Sequence, residues 1–172
     1  VGGLDATWEG EESNKMRVHN GVDGFFGGDR TKIELPEVQQ NALIEISKTG
    51  KPIIFVLLAG SAISFNGLED KLDGILAAWY PGQRGGDAVA DVLFGKYNPA
   101  GRLPITFYSS TNELGDFEDY NMRAGKGLTY RYYNGEALFP FGHGMSYTKF
   151  HYSGLTINSA TVSNNDEIYV SV

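Results

Sequence analysis

The sequence has 172 residues and a net charge of −7, with 41% hydrophobic and 20% charged residues. This length accommodates one domain, or one domain and part of a second, and the composition is typical of a soluble globular protein. The acidic balance, without a basic cluster, argues against nucleic acid or an anionic membrane as a partner, and no apolar run is long enough to cross a membrane. The absence of Cys excludes disulfides, thiolate metal sites and cysteine nucleophiles.

Both ends of the sequence predict a piece of a longer chain. The opening "VGGLD" contains neither Met nor a signal peptide, and the closing "NNDEIYVSV" stops inside an alternating pattern that is typical of a strand. A missing targeting signal is therefore uninformative, and the composition suits a cytosolic, periplasmic or secreted bacterial protein. Of these locations, we expect the periplasm or secretion rather than the cytoplasm.

The first long element that the sequence predicts is a helix beginning at Pro36 and closing at Gly50. Proline suits a first helical position, Glu37 favours the first turn, and a glycine followed by Pro52 ends a helix. Apolar residues at helical spacing predict its buried face, which consists of Val38, Ala42, Leu43 and Ile46.

Strand and helix patterns then alternate. The apolar run "PIIFVLLAG", 52–60, predicts a strand covered on both faces, as in a parallel sheet. Next come a strand near 74–79, a helix in "GGDAVADVLFG" that buries Ala88, Val89, Val92 and Leu93, and a strand over 101–108, where Pro104 requires an edge or a bulge. The order predicts an α/β fold with a mainly parallel sheet sandwiched by helices, whose core includes Ile54, Val56, Leu58, Ile75 and Ala77.

An acidic stretch, "TWEGEES", follows the truncated first strand and crowds Glu9, Glu11 and Glu12. Ligands of such sheets lie beyond the carboxyl ends of the strands, so this stretch is expected on the ligand side. Like charges raise each other's pKa, and hydrolysis of a glycosidic bond needs one carboxyl group that donates a proton beside a second that attacks or activates water. The residues alone also allow a solvated acidic turn, or a calcium site, although calcium needs more oxygen ligands at regular spacing.

The glycine-rich stretch "GFFGGDR", 24–30, predicts a loop that closes over a ligand. Its Phe25 and Phe26 offer aromatic faces of the kind on which sugar rings stack. Asp29 and Arg30 would orient the acidic stretch, or would instead pair with each other and pin a turn.

Other polar residues carry weaker signals. Ser61 follows a strand, but a nucleophilic elbow needs Gly-x-Ser-x-Gly and position 63 is Ile, so a nucleophilic serine is rejected. His143 lies between two glycines and is interpreted as a structural residue of a turn. No glycine spacing matches a phosphate loop, which argues against a nucleotide-binding domain.

Two long motifs, "AAWYPGQRGGDAVADVLFGKYNPAGRLPITFY" and "LTYRYYNGEALFPFGHGMSYTKF", resemble the second domain of glycoside hydrolase family 3, the β-glucosidases and β-xylosidases. "EGEES" followed by "GFFGGDRTKIELP" is similar to the bacterial branch of that family. The resemblance implies an α/β sandwich domain over 1–149, truncated at its N-terminus. It also implies an incomplete β-rich segment over 150–172, the beginning of a fibronectin type III-like domain.

The resemblance implies a retaining, exo-acting β-glycosidase that removes terminal non-reducing sugars. In the family, an Asp nucleophile lies on an N-terminal barrel, which is absent here, and in many members a Glu of the second domain is the acid/base. That Glu usually stands a few residues before an Asp-Arg pair, and "GEE" is the nearest match, so the resemblance points to Glu11. Its neighbours Glu9 and Glu12 remain alternates, because neighbouring glutamates and a long insertion before Asp29 depart from compact members.

The expected partners are a β-linked gluco- or xylo-oligosaccharide and the absent barrel, without a metal or other cofactor. The chain alone is expected to be inactive. The alternative function is a non-catalytic carbohydrate-binding or interaction module that kept the same fold. The sequence does not distinguish glucoside from xyloside specificity.

Overall fold

A computed structural model describes residues 1–4, 24–26 and 29–172 of the chain. In chain order its strands and α-helices are β1 (Gly2–Gly3), β2 (Phe25–Phe26), β3 (Asp29–Arg30), α1 (Glu37–Ser47), β4 (Ile54–Leu58), β5 (Gly74–Ala77), α2 (Gly85–Leu93), α3 (Thr129–Tyr132), β6 (Thr156–Ile157) and β7 (Val170–Ser171). Short 3-10 turns cover Glu69–Lys71 and Thr111–Glu113. No helix within the described ranges combines the length and apolar character needed to cross a membrane.

Three parallel strands, in the order β1-β4-β5, form the central sheet of the described residues. The sequence run that forms β4 is apolar throughout, as expected for the middle strand of a parallel sheet. Gly3 faces Leu58, and a Cβ added to Gly3 would lie 1.9 Å from the Leu58 carbonyl oxygen, so only glycine fits there. The predicted α/β class is confirmed, and so are the strands that were predicted over 52–60 and near 74–79.

The core lies on the side of the sheet to which alternate residues of β4 point. Phe55 and Leu57 join a buried cluster that includes Leu35, Ile63, Phe65 and Phe107, and the Phe55 and Phe65 rings meet edge to face with their centres 5.7 Å apart. Val56 is buried on the opposite side, as side-chain alternation requires. Among the other predicted core residues, Leu58, Ile75 and Ala77 are half-buried.

Ile54 corrects the predicted core, since it is 54% exposed. It is the first residue of β4, and its partner in β5 is Gly74, which has no side chain to pack beside it. An apolar run therefore marks the strand correctly but overstates burial at the strand end.

Helix α1 confirms the predicted helix. The Pro36 carbonyl accepts the backbone N–H groups of Gln39 and Gln40, at 2.8 and 3.1 Å, and Gly50 beyond the last turn adopts a positive φ of 66°. Proline thus directly precedes the first helical residue, and the glycine closes the helix without steric strain.

The buried face of α1 differs from the prediction. Leu43 is buried, but Val38, Ala42 and Ile46 are exposed. The Gln39 side-chain amide accepts from the Gly3 N–H at 2.8 Å and donates to the Gly3 carbonyl at 2.7 Å. Since β1 needs these polar partners, α1 turns its glutamine side toward the sheet edge, and the stripe of Val38, Ala42 and Ile46 turns outward.

Helix α2 also forms where it was predicted, but its buried side is narrower. Val89 and Val92 are half-buried, whereas Ala88 and Leu93 are exposed. The Tyr147 hydroxyl donates to the Val92 carbonyl at 2.7 Å. Of the face that was predicted to be buried, only the part around Val89 and Val92 is covered by the described residues.

The third predicted strand, over 101–108, is wrong. Within it, Phe107 forms an isolated antiparallel bridge with Phe139, and Leu103 exchanges backbone hydrogen bonds with Gly142 and His143. Pro104 lies between these two contacts and has no N–H to donate, so no continuous ladder forms.

The C-terminal segment forms a short antiparallel pair, with Thr156 opposite Ser171 and Ile157 opposite Val170. Every residue from 150 to 172 is exposed. The division of the chain at residue 150 stays a prediction.

Candidate functional site

The carboxyl ends of β1, β4 and β5 meet at one edge of the sheet, because the three strands are parallel. The Leu4 N–H donates to the Leu58 carbonyl at 2.7 Å, and the Ala78 N–H donates to the Leu57 carbonyl at 2.9 Å. In sequence, the acidic stretch begins at Thr7, three residues after Leu4. This edge is therefore where the predicted ligand side begins.

A shallow apolar depression lies at this edge, lined by Leu57, Ala59, Ser61, Ala77, Trp79 and Phe107. The Trp79 and Phe107 rings meet edge to face with centres 6.4 Å apart. Ser61 supplies the one hydroxyl group of the lining. None of the described residues that line the depression has an acidic or basic side chain.

Trp79 holds an uncommon backbone conformation just beyond the end of β5. Its φ is 53°, in the left-handed region that non-glycine residues rarely adopt. Such conformations persist where the surrounding packing over-determines them, and they cluster at functional sites. The contact with Phe107 supplies packing of this kind at the edge where ligands of α/β sheets bind.

Strands β2 and β3 form a small hairpin from the "GFFGGDR" stretch. Phe25 pairs with Arg30, Phe26 pairs with Asp29, and the Thr31 N–H donates to the Gly24 carbonyl at 2.9 Å. Gly24 has a φ of 92°, which suits glycine at the hairpin base. The predicted loop is therefore a hairpin with Phe25 buried in its surroundings.

Arg30 fastens this hairpin to the loop that follows β4. Its Nη1 donates to the Ser61 hydroxyl at 2.6 Å and to the Ala62 carbonyl at 2.8 Å. A planar guanidinium can hold two acceptors at a fixed angle, which a flexible ammonium group does less well. The hairpin is thereby held close to the carboxyl edge of the sheet.

The predicted site residues are described unequally. Glu9, Glu11 and Glu12 lie outside the described residues, so their role as acid/base stays a prediction. Phe26 and Asp29 are described through their backbone pairing alone. The predicted contact of sugar with Phe25 and Phe26 and the predicted support by Asp29 and Arg30 also stay predictions.

Sequence reasoning missed a second link to the same region, between Glu34 and Thr111. The Glu34 carboxylate accepts from the Thr111 backbone N–H at 2.7 Å and from its hydroxyl at 2.6 Å, while the Ile33 N–H donates to the Thr111 hydroxyl at 2.9 Å. Burial alone would raise the pKa of Glu34, but the hydrogen bonds from Thr111 outweigh it and hold the pKa below its usual value. Glu34 and Thr111 are 77 positions apart in sequence, so no local sequence pattern predicts their hydrogen bonds.

Ser64 joins the two links. It is fully buried, its N–H donates to the Ile33 carbonyl at 2.8 Å, and its carbonyl accepts from Leu35 at 2.8 Å. Its hydroxyl donates to the Ser109 carbonyl. The segment after the hairpin, the loop after β4 and the segment before Thr111 thus form one hydrogen-bonded unit.

A third polar cluster contains Glu113, Lys126 and Tyr133. Lys126 Nζ and the Tyr133 hydroxyl both donate to Glu113 Oε2, at 2.6 and 2.9 Å, and the hydrogen bond from Lys126 in particular lowers the pKa of Glu113. Burial and the hydrogen bond to Glu113 raise the pKa of Tyr133 to about 12. Tyr133 also meets the Tyr108 ring edge to face at 4.8 Å.

His143 and the acidic residues form no metal site among the described residues, where no group of three or more ligating side chains occurs. The His143 ring stacks on Phe139 with centres 5.0 Å apart, and its carbonyl accepts from the Leu103 N–H at 2.9 Å. Both contacts suit a residue that shapes a turn.

Residues 1–147 match the family model described as the glycosyl hydrolase family 3 C-terminal domain. The chain belongs to this family. It is 51% identical over 160 residues to a xylan 1,4-β-xylosidase of Xylanibacter ruminicola, covering 93% of the chain and 18% of the relative. It is 37% identical over 153 residues to a periplasmic β-glucosidase of Salmonella typhimurium, covering 83% of the chain and 20% of the relative.

Solved structures of family 3 enzymes have the same fold. A β-glucosidase from Erythrobacter marinus matches with a TM-score of 0.69 and 33% identity, over 86% of this chain and 20% of that one. β-Glucosidase 3B from Thermotoga neapolitana, solved in complex with glucose, matches with a TM-score of 0.64 and 32% identity, over 74% of this chain and 20% of that one. The chain therefore spans about a fifth of the length of the relatives that it matches.

Proposed function

We propose that this family 3 domain supplies the acid/base of a retaining, exo-acting β-glycosidase that removes terminal β-linked glucose or xylose. The observation that carries the proposal is the contact of Arg30 with Ser61 and Ala62. That contact holds the hairpin of β2 and β3, which follows the acidic stretch in sequence, beside the loop after β4 and near the edge where α/β sheets bind ligands. The glucosidase and xylosidase names of the relatives support the substrate class.

In this proposal Glu11 donates a proton to the leaving oxygen and afterwards activates water, with Glu9 and Glu12 as alternates. An Asp nucleophile from a barrel elsewhere in the whole protein attacks the sugar from the opposite side, since retaining enzymes need two carboxyl groups. Asp29 and Arg30 support the acidic stretch, and Phe25 and Phe26 help to form the sugar site. Because one carboxyl group of the pair is missing, the 172-residue chain alone should not hydrolyse aryl β-glucosides or β-xylosides.

The test is Glu11→Gln in the whole protein, with Glu9→Gln and Glu12→Gln as matched variants. General acid catalysis contributes roughly a hundredfold to ten-thousandfold, so Glu11→Gln should lose about that much activity on substrates with poor leaving groups. Activated aryl glycosides should form the glycosyl-enzyme almost as before, because a good leaving group needs little protonation. Azide should partly restore turnover, because it attacks the glycosyl-enzyme without a general base.

The matched variants decide between the alternatives. If Glu9→Gln or Glu12→Gln shows the leaving-group dependence and azide rescue instead, the acid/base moves to that residue. If none of the three does, the acid comes from elsewhere in the whole protein, for instance from the barrel, and the cluster is a solvated acidic loop. A whole protein that lacks the Asp nucleophile would instead favour the alternative, a non-catalytic carbohydrate-binding module of the same fold.

A further inference from the structure

The segment of residues 33–35 is held on two sides, directly after strand β3. On its inner side it forms a parallel bridge with Ser64, whose N–H donates to the Ile33 carbonyl and whose carbonyl accepts from the Leu35 N–H, each at 2.8 Å. On its outer side it meets Thr111. Only two residues separate β3 from this segment, so a displacement of the segment is passed on to the hairpin.

Thr111 forms the outer side with both its backbone and its hydroxyl group. Its N–H and its hydroxyl donate to the two carboxylate oxygens of Glu34, at 2.7 and 2.6 Å, so this carboxylate is held at both ends. The same hydroxyl accepts from the Ile33 N–H at 2.9 Å. A single hydroxyl group therefore binds two consecutive residues of the segment, one as acceptor and one as donor.

These contacts leave the segment little freedom. Ser64 is fully buried and Leu35 is 1% exposed, so the inner side belongs to the core. The hydrogen bonds from Thr111 keep the pKa of Glu34 below its usual value, so the carboxylate is charged at neutral pH. Hydrogen bonds to a charged carboxylate are roughly twice as strong as neutral ones. The outer side is thus fixed by strong contacts that depend on one hydroxyl group.

We propose that Thr111 is a positioning residue for the acid/base of the proposed function. Arg30 holds the hairpin itself, and Thr111 holds the segment that follows it through Glu34 and Ile33. The two contacts together fix the hairpin that follows the acidic stretch in sequence, so that the acid/base reaches the leaving oxygen of the substrate. The inference rests on the proposed function, because Thr111 has nothing to position without an acid/base in that stretch.

The test compares Thr111→Val with Thr111→Ser in the whole protein. A misplacement of about 1 Å can cost about a hundredfold in rate, and general acid catalysis contributes about a hundredfold to ten-thousandfold. Thr111→Val should therefore lower kcat about tenfold to a hundredfold on substrates with poor leaving groups, with KM unchanged. Activated aryl glycosides should release their aryl alcohol in the first turnover almost as fast as before. Thr111→Ser keeps the hydroxyl and should restore most of the loss.

A double variant separates positioning from general damage to the site. In the Glu11→Gln background, Thr111→Val should cause no further loss on poor leaving groups, because the acid through which it acts is already absent. If Glu9 or Glu12 proves to be the acid/base, its Gln variant takes the place of Glu11→Gln. Glu34→Ala removes the other side of the same contact. It should show the same leaving-group dependence, and it carries the test if Thr111→Val does not fold.

The matched control is Thr49→Val. The Thr49 hydroxyl also has two roles, since it donates to the Ile46 carbonyl at 2.7 Å and accepts from the Lys51 N–H at 3.3 Å. Thr49 lies between α1 and β4, on the approach to the amino end of that strand and not at the carboxyl edge. Thr49→Val should therefore leave the rates on poor and on activated leaving groups unchanged.

Any of four results overturns the positioning role. These are an unchanged rate in Thr111→Val, an equal loss on poor and activated leaving groups, no recovery in Thr111→Ser, or a full additional loss in the double variant with Glu11→Gln. Each of them leaves the leaving-group dependence of Glu11→Gln itself intact, so the proposed function stands. If none of the three glutamate variants shows that dependence, the proposed function fails, and the role of Thr111 fails with it.

Discussion

Arg30 and Ser61 are joined by a hydrogen bond of 2.6 Å across 31 residues of sequence, and the same guanidinium nitrogen also donates to the Ala62 carbonyl at 2.8 Å. The contact connects the hairpin of β2 and β3 to the loop after β4. Since the acidic stretch lies between β1 and this hairpin in sequence, both of its flanks are attached near the same edge of the sheet. Arg30 is therefore a positioning residue in the proposed function.

Replacing Arg30 should destabilise the chain through the contacts it makes. Arg30→Met should lower the free energy of unfolding by about 1.5–3 kcal/mol, the usual range for hydrogen bonds of a charged group, and Arg30→Lys should restore only part of it. Ser61→Ala should lower the free energy of unfolding by less than Arg30→Met does. The double variant should lose less than the sum of the two single losses, because both substitutions remove the same hydrogen bond. Urea denaturation measures all four values.

The matched control is Arg84→Met, since the Arg84 side chain is 85% exposed and its partner is Asp87 in an exposed pair. Exposed ion pairs contribute about 0–1 kcal/mol, so this variant should lose little. Additive effects of Arg30→Met and Ser61→Ala would show that the two residues act independently and would contradict the positioning role.

Two residues on the same side of β4 should respond very differently to a charge, because one is buried and the other lies at the strand end. Val56 is 6% exposed, and Val56→Asp should prevent folding, because an unpaired buried charge costs several kcal/mol or more. Ile54 lies two residues earlier on the same strand but is 54% exposed, so Ile54→Asp should lose less than about 1 kcal/mol. Circular dichroism and thermal melting measure both. A cooperatively melting Val56→Asp variant would show that the burial of β4 is wrong.

These two residues also show what the sequence could predict. A continuous apolar run is enough to identify a strand of a parallel sheet, because both faces of such a strand are covered. The apolar run does not show where burial of the strand ends, because burial depends on the residue opposite in the neighbouring strand. Ile54 lies opposite Gly74, which has no side chain to cover it. Strand identity is thus local information, while burial at strand ends depends on pairing.

The orientation of α1 depended on the same kind of distant contact. Apolar spacing predicted Val38 and Ile46 as buried, but the hydrogen bonds between Gln39 and Gly3 set which side faces the sheet edge. In the candidate site, the motifs singled out the segment that contains Arg30, but they predicted a loop and did not predict the hydrogen bonds from Arg30 to Ser61 and Ala62. The Glu34–Thr111 contact could not be predicted, because its two residues meet only in the folded chain.

Acid should weaken the contact between Glu34 and Thr111. The pKa of Glu34 is lowered in the folded chain from an ordinary value of 4.5, so the folded state favours the charged form. The resulting stability is complete above about pH 4.5 and is lost as the pH falls through the lower folded value. Glu34→Gln should therefore melt at a lower temperature than the unmodified chain at pH 7, and the difference should shrink below pH 4.5.

The control for this pH dependence is Glu45→Gln, since Glu45 is exposed and pairs with Lys48 at the surface at 2.5 Å. Its melting temperature should follow that of the unmodified chain at every pH. A Glu34→Gln difference that stays constant from pH 7 to pH 3 would show that the charge of Glu34 does not contribute.

Alkali should weaken the chain through Tyr133. Burial and the hydrogen bond to Glu113 raise the pKa of Tyr133 from 10.0 to about 12, so between these values the folded state keeps a proton that the unfolded state releases. Stability contributed by this group is complete below pH 10 and is lost as the pH rises toward 12. Tyr133→Phe lacks this group, so its difference from the unmodified chain in the free energy of unfolding should shrink over that range. Tyr120→Phe, at a tyrosine that is 89% exposed, should show no such change.

The absorbance of ionised tyrosine gives an independent measurement, since the latest titration step should move to lower pH in Glu113→Gln. If that step stays where it is, the hydrogen bond to Glu113 does not hold the Tyr133 proton.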